Sequence, residues 1–206
     1  MFELETFEKL FWDKRKKFID DDNIYQVDIF NKLCEKAKTL IWEELQQNNT
    51  FYLDVAQLED YVLDLTPIEQ ILFFAFDIYQ YNAITKDCFF NYSVQPQSHI
   101  KCGVHNYVAD FLIEDFVLLG EVFECKKKIV IECDGYDSHH TKQQRNYDIE
   151  RENNLRLNGY NVIRFTGSQI YKNPYNCVFT VSKFLFEDNN DTIIGKIKEW
   201  KKEKEL

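Results

Sequence analysis

KKKIVIECDGYDSHH, residues 126–140, decides how this chain is read. Three lysines lead into Ile129-Val130-Ile131, a β-branched run of the kind that fills a sheet interior. The run ends on two carboxylates, Glu132 and Asp134, then Gly135, and His139 and His140 follow. Carboxylates are rarely buried without a partner. A strand that delivers acids and imidazoles to its own tip either ends in salt bridges or ends in a site.

A second strand upstream poses the same question. In Tyr107-Val108-Ala109-Asp110-Phe111-Leu112-Ile113, an aspartate interrupts an apolar run. A buried charge there is costly unless it is paired or holds a metal. If the 115–127 stretch is a hairpin, Asp110 and Glu132 meet. Lys126, Lys128, Arg145, Arg151 and Arg164 could each pair with one of them, which would make them structural. Together, facing carboxylates with a strand carbonyl suit Mg²⁺, a hard cation that takes oxygen ligands and keeps several waters.

The flanking helices add to this constellation. Thr66-Pro67-Ile68-Glu69 is a helix start, with an N-cap threonine, proline at the first helical position and a capping-box glutamate. Capping alone explains Glu69, and it leaves room for a second role at a metal. Residues 142–157 read as a helix stopped by Gly159. Gln144, Asp148 and Arg151 form one polar stripe on it, continued by Leu155. That stripe is either a solvent face with an Asp148–Arg151 pair or a substrate face. In the second case Arg151 clamps a phosphate or orients an acid, and Gln144 hydrogen-bonds near the reacting group. Lys128, Lys142 and Arg151 are then the substrate-binding cations. His139 suits a general base or acid, because its pKa lies near neutrality. His140 is equally well an exposed loop histidine.

The order of elements predicts the fold. A helix over 66–81 precedes β-like runs at 89–95, about 98–102, 107–113, 116–123 and 128–133. The 142–157 helix, a strand at 161–165 and helices at about 174–187 and 192–203 follow. This is an α/β (α+β) pattern, a mixed and mostly antiparallel sheet flanked by helices. Residues 2–19 and about 24–48 read as amphipathic helices, and 54–64 is ambiguous between helix and strand. Residues 1–60 are thus expected to be a helical extension, for packing, for a protein partner or for self-association. Residues 61–206 carry the domain with the site.

Composition narrows the function classes. Lys+Arg 25 against Asp+Glu 35 gives a net charge of −10, which disfavours long-range attraction to nucleic acid but says nothing of a cleft. No apolar run approaches the ~20 residues of a membrane span, and the N-terminus lacks a secretory pattern. A cytoplasmic protein without a membrane partner is expected. Six scattered cysteines without a Cys-x-x-Cys pair point to reduced thiols. His99-x-x-Cys102-x-x-His105 lacks a fourth zinc ligand at a usual spacing and reads better as a hairpin turn.

These residues carry a resemblance. Thr-Pro-Ile-Glu opening a helix, Tyr-Val-Ala-Asp-Phe, Ile-Glu-Cys-Asp-Gly-Tyr-Asp-Ser-His, then Asp148-x-x-Arg151, Leu155 and Gly159-Tyr160-x-Val162-x-Arg164-Phe165, are similar to a bacterial domain family of unknown function. That family lies in the PD-(D/E)xK nuclease superfamily and is related to the very-short-patch mismatch-repair endonuclease. The likeness spans about residues 66–175. It implies a restriction-endonuclease-like core and Mg²⁺-dependent hydrolysis of DNA phosphodiesters, with Mn²⁺ able to substitute. By position it makes Asp110 and Glu132 the metal carboxylates and Glu69 the acid of the first core helix. His139 would match the histidine after the Asp-Gly turn, and Gln144, Asp148 and Arg151 the polar helix positions. The superfamily motif has lysine two residues after the glutamate, where this chain has Asp134. His139, Lys142 and Gln144 are the candidates to replace it. The 115–125 stretch is longer than usual for that family. The leading expectation is a DNA endonuclease of repair or of defence against foreign DNA. The alternatives are a module on the same fold that binds without cutting, and an RNA-cleaving effector.

Overall fold

The computed structural model describes residues 9, 11–12, 31–40, 42, 65–85, 92–119, 122–135, 142–185 and 202. The first of the labelled elements is helix α1 (Pro67–Thr85), followed by strands β1 (Tyr92–Cys102), β2 (His105–Leu119) and β3 (Val122–Asp134). Helix α2 (Lys142–Leu157), strand β4 (Asn161–Thr166) and helices α3 (Gly167–Lys172) and α4 (Pro174–Leu185) complete them. The strands form one sheet in the order β1-β2-β3-β4. The first two pairings are antiparallel, and β4 joins β3 in parallel after the α2 crossover. The chain is thus a mixed α/β fold with a four-stranded sheet flanked by helices.

Two apolar clusters lie on the two faces of the sheet. The larger joins Ile71, Phe74 and Ala75 of α1 to Phe111 and Ile113 of β2, Ile129 and Ile131 of β3, Phe165, and Cys177, Val178 and Val181 of α4. Cys34, Ala37 and Leu40 from the helical segment 31–40, with Phe11, belong to this same cluster. The smaller cluster, Ile100, Cys102, Tyr107, Ala109, Leu112, Val130 and Leu155, is closed by a single buried side chain of α2. Three helices, α1, α4 and the short α3 through Ile170, cover one face with an N-terminal segment, while one largely polar helix lies over the other.

Local signals set most boundaries. Thr66 N–H donates to Glu69 Oε2 at 2.8 Å and Glu69 N–H donates to Thr66 Oγ1 at 3.4 Å, the reciprocal capping box read from TPIE. Gly159 ends α2 at φ +84°, a left-handed conformation that glycine adopts without Cβ strain. Gly103, at φ +61°, turns the β1–β2 hairpin, so His99, Cys102 and His105 serve a turn, as expected. Cys34, Cys102, Cys125, Cys133 and Cys177 are free thiols.

Three boundaries differ from expectation. The runs expected at 89–95 and 98–102 join, within the described residues, in one strand, Tyr92–Cys102, because pairing resumes after Gln97. The expected strand 116–123 is divided between the end of β2 and the start of β3, which pair out to Leu119↔Val122 beyond a register shift at Asp115/Phe116. Helix α3 was not expected; its start carries a second capping box, Thr166 with Gln169, in a stretch too short to show helical periodicity. The 54–64 segment lies outside the described residues, as do all but one of residues 192–203.

Candidate active site

β3 alternates regularly. Ile129 and Ile131 enter the large core and Val130 the small one, so Glu132 projects onto the α2 face. On β4, Ile163 and Phe165 pack with the large core and Val162 with the small one. Arg164 therefore shares the face of its register partner Glu132.

β2 breaks this rule. Phe111 and Ile113 lie in the large core, yet Ala109 and Tyr107, which unbroken alternation would put on the same face, lie in the small one. The change falls at Asp110. Opposite it on β1 stands Gln97, whose φ of +48° is in the left-handed region, and the ladder skips this pair between Pro96↔Phe111 and Ser98↔Ala109. A side chain held in that conformation is uncommon and concentrates at functional positions. The hairpin tip thus turns over where Asp110 sits. Asp110 Oδ2 accepts the Cys133 N–H at 2.6 Å, which ties it to the residue after Glu132.

Glu69 reaches this place from the first turn of α1. It is 7 % exposed, and Gln97 donates a side-chain hydrogen bond to it. Burial, with the negative charge of Asp110 second, pushes its carboxyl up to about 7. Burial also raises the Asp110 and Glu132 carboxyls, each against the pull of Arg151 and Arg164. The Cys133 thiol, buried among these three acids, is held well above its ordinary value, first by burial. Three carboxylates therefore crowd one partly desolvated place.

Two arginines answer part of that charge. Arg151 donates from Nη1 to Glu132 Oε2 at 3.0 Å and from Nη2 to Oε1 at 2.7 Å, and Nη2 also reaches the Val108 carbonyl at 2.6 Å. This bidentate fork fixes the Glu132 rotamer. Arg164 holds Asp134 in the same manner, through Nε to Oδ2 at 3.0 Å and Nη2 to Oδ1. Asp134, in the place of the expected lysine, is thus the anchor of a cation on the neighbouring strand.

The structure brings Glu69, Asp110, Glu132 and Arg151 together. His139 and His140 lie outside the described residues. Lys142 and Gln144 are exposed on the first turn of α2, and Arg151 stands roughly 10 Å farther along the axis from Gln144. Lys128 pairs with Glu114, its register partner, at 3.4 Å and covers the Tyr160 ring. That places it roughly 13 Å along β3 from Glu132. Arg151 takes Glu132 rather than Asp148, whose charge acts instead on Arg164. Sequence reasoning missed Gln97 and weighed Arg164 only as an ion-pair partner. Neither stands in a pattern that marks it; the turn-over of a hairpin and the register of a parallel pair select them.

The REase_MTES_1575 family model, a restriction-endonuclease-like family, matches residues 80–185, just over half of the chain. The chain belongs to that family. The REase_MTES_1575 match takes in Asp110, Glu132, Asp134, Arg151 and Arg164, while Glu69 precedes it. No curated protein and no solved structure matches the chain. Membership brings a nuclease-like domain and, with it, interaction with nucleic acid.

A divalent cation fits the chemistry of these donors. Among the described residues no group of three His, Cys, Asp or Glu side chains is assembled as a metal cage. Mg²⁺ needs none, since it commonly takes one or two carboxylates and completes its shell with water and substrate phosphate. Asp110 and Glu132 supply hard oxygens, and burial raises the carboxyls of both and of Glu69, so each favours a cation over solvent as partner. Glu132 would have to share its oxygens with Arg151 or release them. No helix among the described residues is long and apolar enough to cross a membrane.

Proposed function

We propose that this chain is a Mg²⁺-dependent endonuclease that hydrolyses DNA phosphodiester bonds, in repair or in defence against foreign DNA. Within its family it stands near the domains related to the very-short-patch mismatch-repair endonuclease. The observation that carries this reading is the convergence of Glu69, Asp110 and Glu132, each with a raised carboxyl, at the point where the β1–β2 hairpin turns over. An acid cluster of that kind is costly to keep without a function, because each buried charge lowers stability.

Asp110 and Glu132, with Glu69 beside them, are the residues that would hold Mg²⁺. When bound, such a cation supplies a Lewis acid that activates water and offsets charge on the leaving oxygen. The chain does the rest. Cys133 N–H and the Arg151 fork hold the two acids in fixed rotamers. Arg151 also has the planar donor geometry that grips a phosphate. Glu69, near neutrality, can give or take a proton at its carboxyl while Oε2 keeps the Thr66 N–H. Gln97 donates a side-chain hydrogen bond to it.

A second reading has one specific observation in its favour. Arg151 occupies both Glu132 oxygens, as it would in a module that binds nucleic acid without cutting. One experiment separates the two. Purified chain is incubated with supercoiled, linear and single-stranded DNA and with RNA, with Mg²⁺ or Mn²⁺ and with chelator. The nuclease reading expects cation-dependent cutting that disappears in Asp110→Ala and Glu132→Ala. Cutting that survives both substitutions removes the site assignment, and no cutting of any substrate leaves the binding module.

A further inference from the structure

A cavity of about 810 Å³ lies between α2, the β4–α3 turn and the helical segment 31–40. Its volume is within the ~300–1,000 Å³ in which pockets enclose a small molecule, and far below what a duplex needs. Asp134 and Arg164 form one wall, Arg164 is the register partner of Glu132, and Asp134 follows Glu132 by two residues on β3. The cavity therefore adjoins the acid cluster.

Its lining combines two chemistries. Ile68, Ile149 and Tyr171 present apolar and aromatic surface. Ile149 is 60 % exposed and Tyr171 39 % exposed, an unusual investment of large apolar side chains at a polar helix surface. Gly167 lets Ile68 into this wall, since a Cβ there would meet Ile68 Cδ1 at 2.5 Å. The acids of the lining are already answered. Asp134 is forked by Arg164, Glu152 is paired with Arg156 at 2.8 Å, and Asp148 acts on Arg164. Arg145, also in the lining, has no hydrogen-bond or ion-pair partner among the described residues. The cavity is thus apolar inside, with the Arg145 guanidinium, unpartnered among the described residues, at its side.

That combination matches one nucleotide: a flat base to stack on Tyr171 against Ile149 and Ile68, and a phosphate for Arg145. A base enters such an enclosure only after leaving its stack. We propose that this cavity receives one unstacked nucleotide of the bound nucleic-acid strand, next to the acid cluster. The inference rests on the nucleic-acid reading of that cluster and deepens it. The substrate is then a single strand or a duplex with a bulged nucleotide, in preference to an intact duplex.

The test separates binding from cutting. Anisotropy of labelled oligonucleotides is measured with the full chain in chelator, using a single strand, the intact duplex and the same duplex with one bulged nucleotide. A fluorescent adenine analogue at the bulge reports stacking. The strand and the bulged duplex are expected to bind ~10-fold tighter than the intact duplex. Arg145→Glu and Ile149→Glu, both at exposed positions, are each expected to remove most of that advantage, and Ile149→Glu also to abolish the change in analogue emission. Equal binding of intact and bulged duplex, or indifference to both substitutions, overturns the proposal. Mg²⁺-dependent cutting that Asp110→Ala abolishes and Ile149→Glu leaves unchanged keeps the nuclease reading and overturns the cavity. Binding that both cavity substitutions weaken, in a chain that cuts nothing, keeps the cavity and removes the nuclease.

Discussion

The two faces of the sheet are built to different ends. One face carries the large core, with α1, α4, the segment 31–40 and Phe111, Ile113, Ile129 and Ile131 buried together. The other carries six buried sheet residues closed by Leu155 of α2, and beside them Glu132, Arg151, Asp134 and Arg164. Neighbouring residues on one strand can therefore belong to different economies. Phe111 is fully buried in the large core, and Asp110, one residue earlier, sits where the hairpin turns over. Stability is concentrated on the first face, which lets the second tolerate charge that a thicker core would expel.

The sharpest test of that division substitutes the two neighbours. Asp110→Asn is expected to reduce hydrolysis by at least ~10³-fold, about 4 kcal/mol of barrier, with the unfolding midpoint unchanged or raised. Phe111→Ala is expected to cost ~3–5 kcal/mol in urea unfolding. If Asp110→Asn unfolds the chain, the two faces do not divide the labour.

Next in size is the Arg151 fork. Arg151→Ala leaves Glu132 buried without its partner and is expected to lower stability by about 3 kcal/mol. The double variant Arg151→Met with Glu132→Gln should recover most of this in the same unfolding assay, because neither buried charge remains. A double variant as unstable as the single one would mean that Arg151 acts by packing alone.

Glu69 predicts a pH dependence with a definite sign. Its carboxyl rises from 4.5 unfolded to about 7 folded, chiefly through burial. A raised folded pKa means that the proton is held more tightly in the native state. The stability it contributes is complete below 4.5 and is lost as pH rises through 7. In chelator, wild type should therefore lose stability between about pH 5 and about pH 8 relative to Glu69→Gln, which cannot titrate. Parallel pH profiles for the two would show that Glu69 is solvated. The smallest effect is expected at Lys128→Ala, whose partly exposed pair with Glu114 contributes about 1 kcal/mol. A larger loss of nucleic-acid binding than of stability there would extend the site along β3.

Much of the fold was legible in the sequence because its signals are local. The Thr66–Glu69 capping box, the β-branched run 129–131, the 142–157 helix and its glycine stop each depend on neighbours within a turn or two. The meeting of Asp110 and Glu132 followed from one further assumption, a hairpin between their strands. What was not legible is non-local. Gln97 shows no signal of a left-handed backbone, and an amide side chain in a strand carries no mark of function. Arg164 looks like any cation on a short strand until the parallel register sets it beside Glu132 and Asp134 points it there.

The sequence by itself determined the element order, the mixed sheet and the presence of two acids inside apolar strands. Those follow from periodicity, capping and the cost of a buried charge. Only the tertiary structure decided which face each acid takes, that Arg151 holds Glu132 rather than Asp148, and that Asp134 anchors Arg164. The physical reason is that alternation along a strand fixes a side only while the strand runs true, and β2 turns over at Asp110.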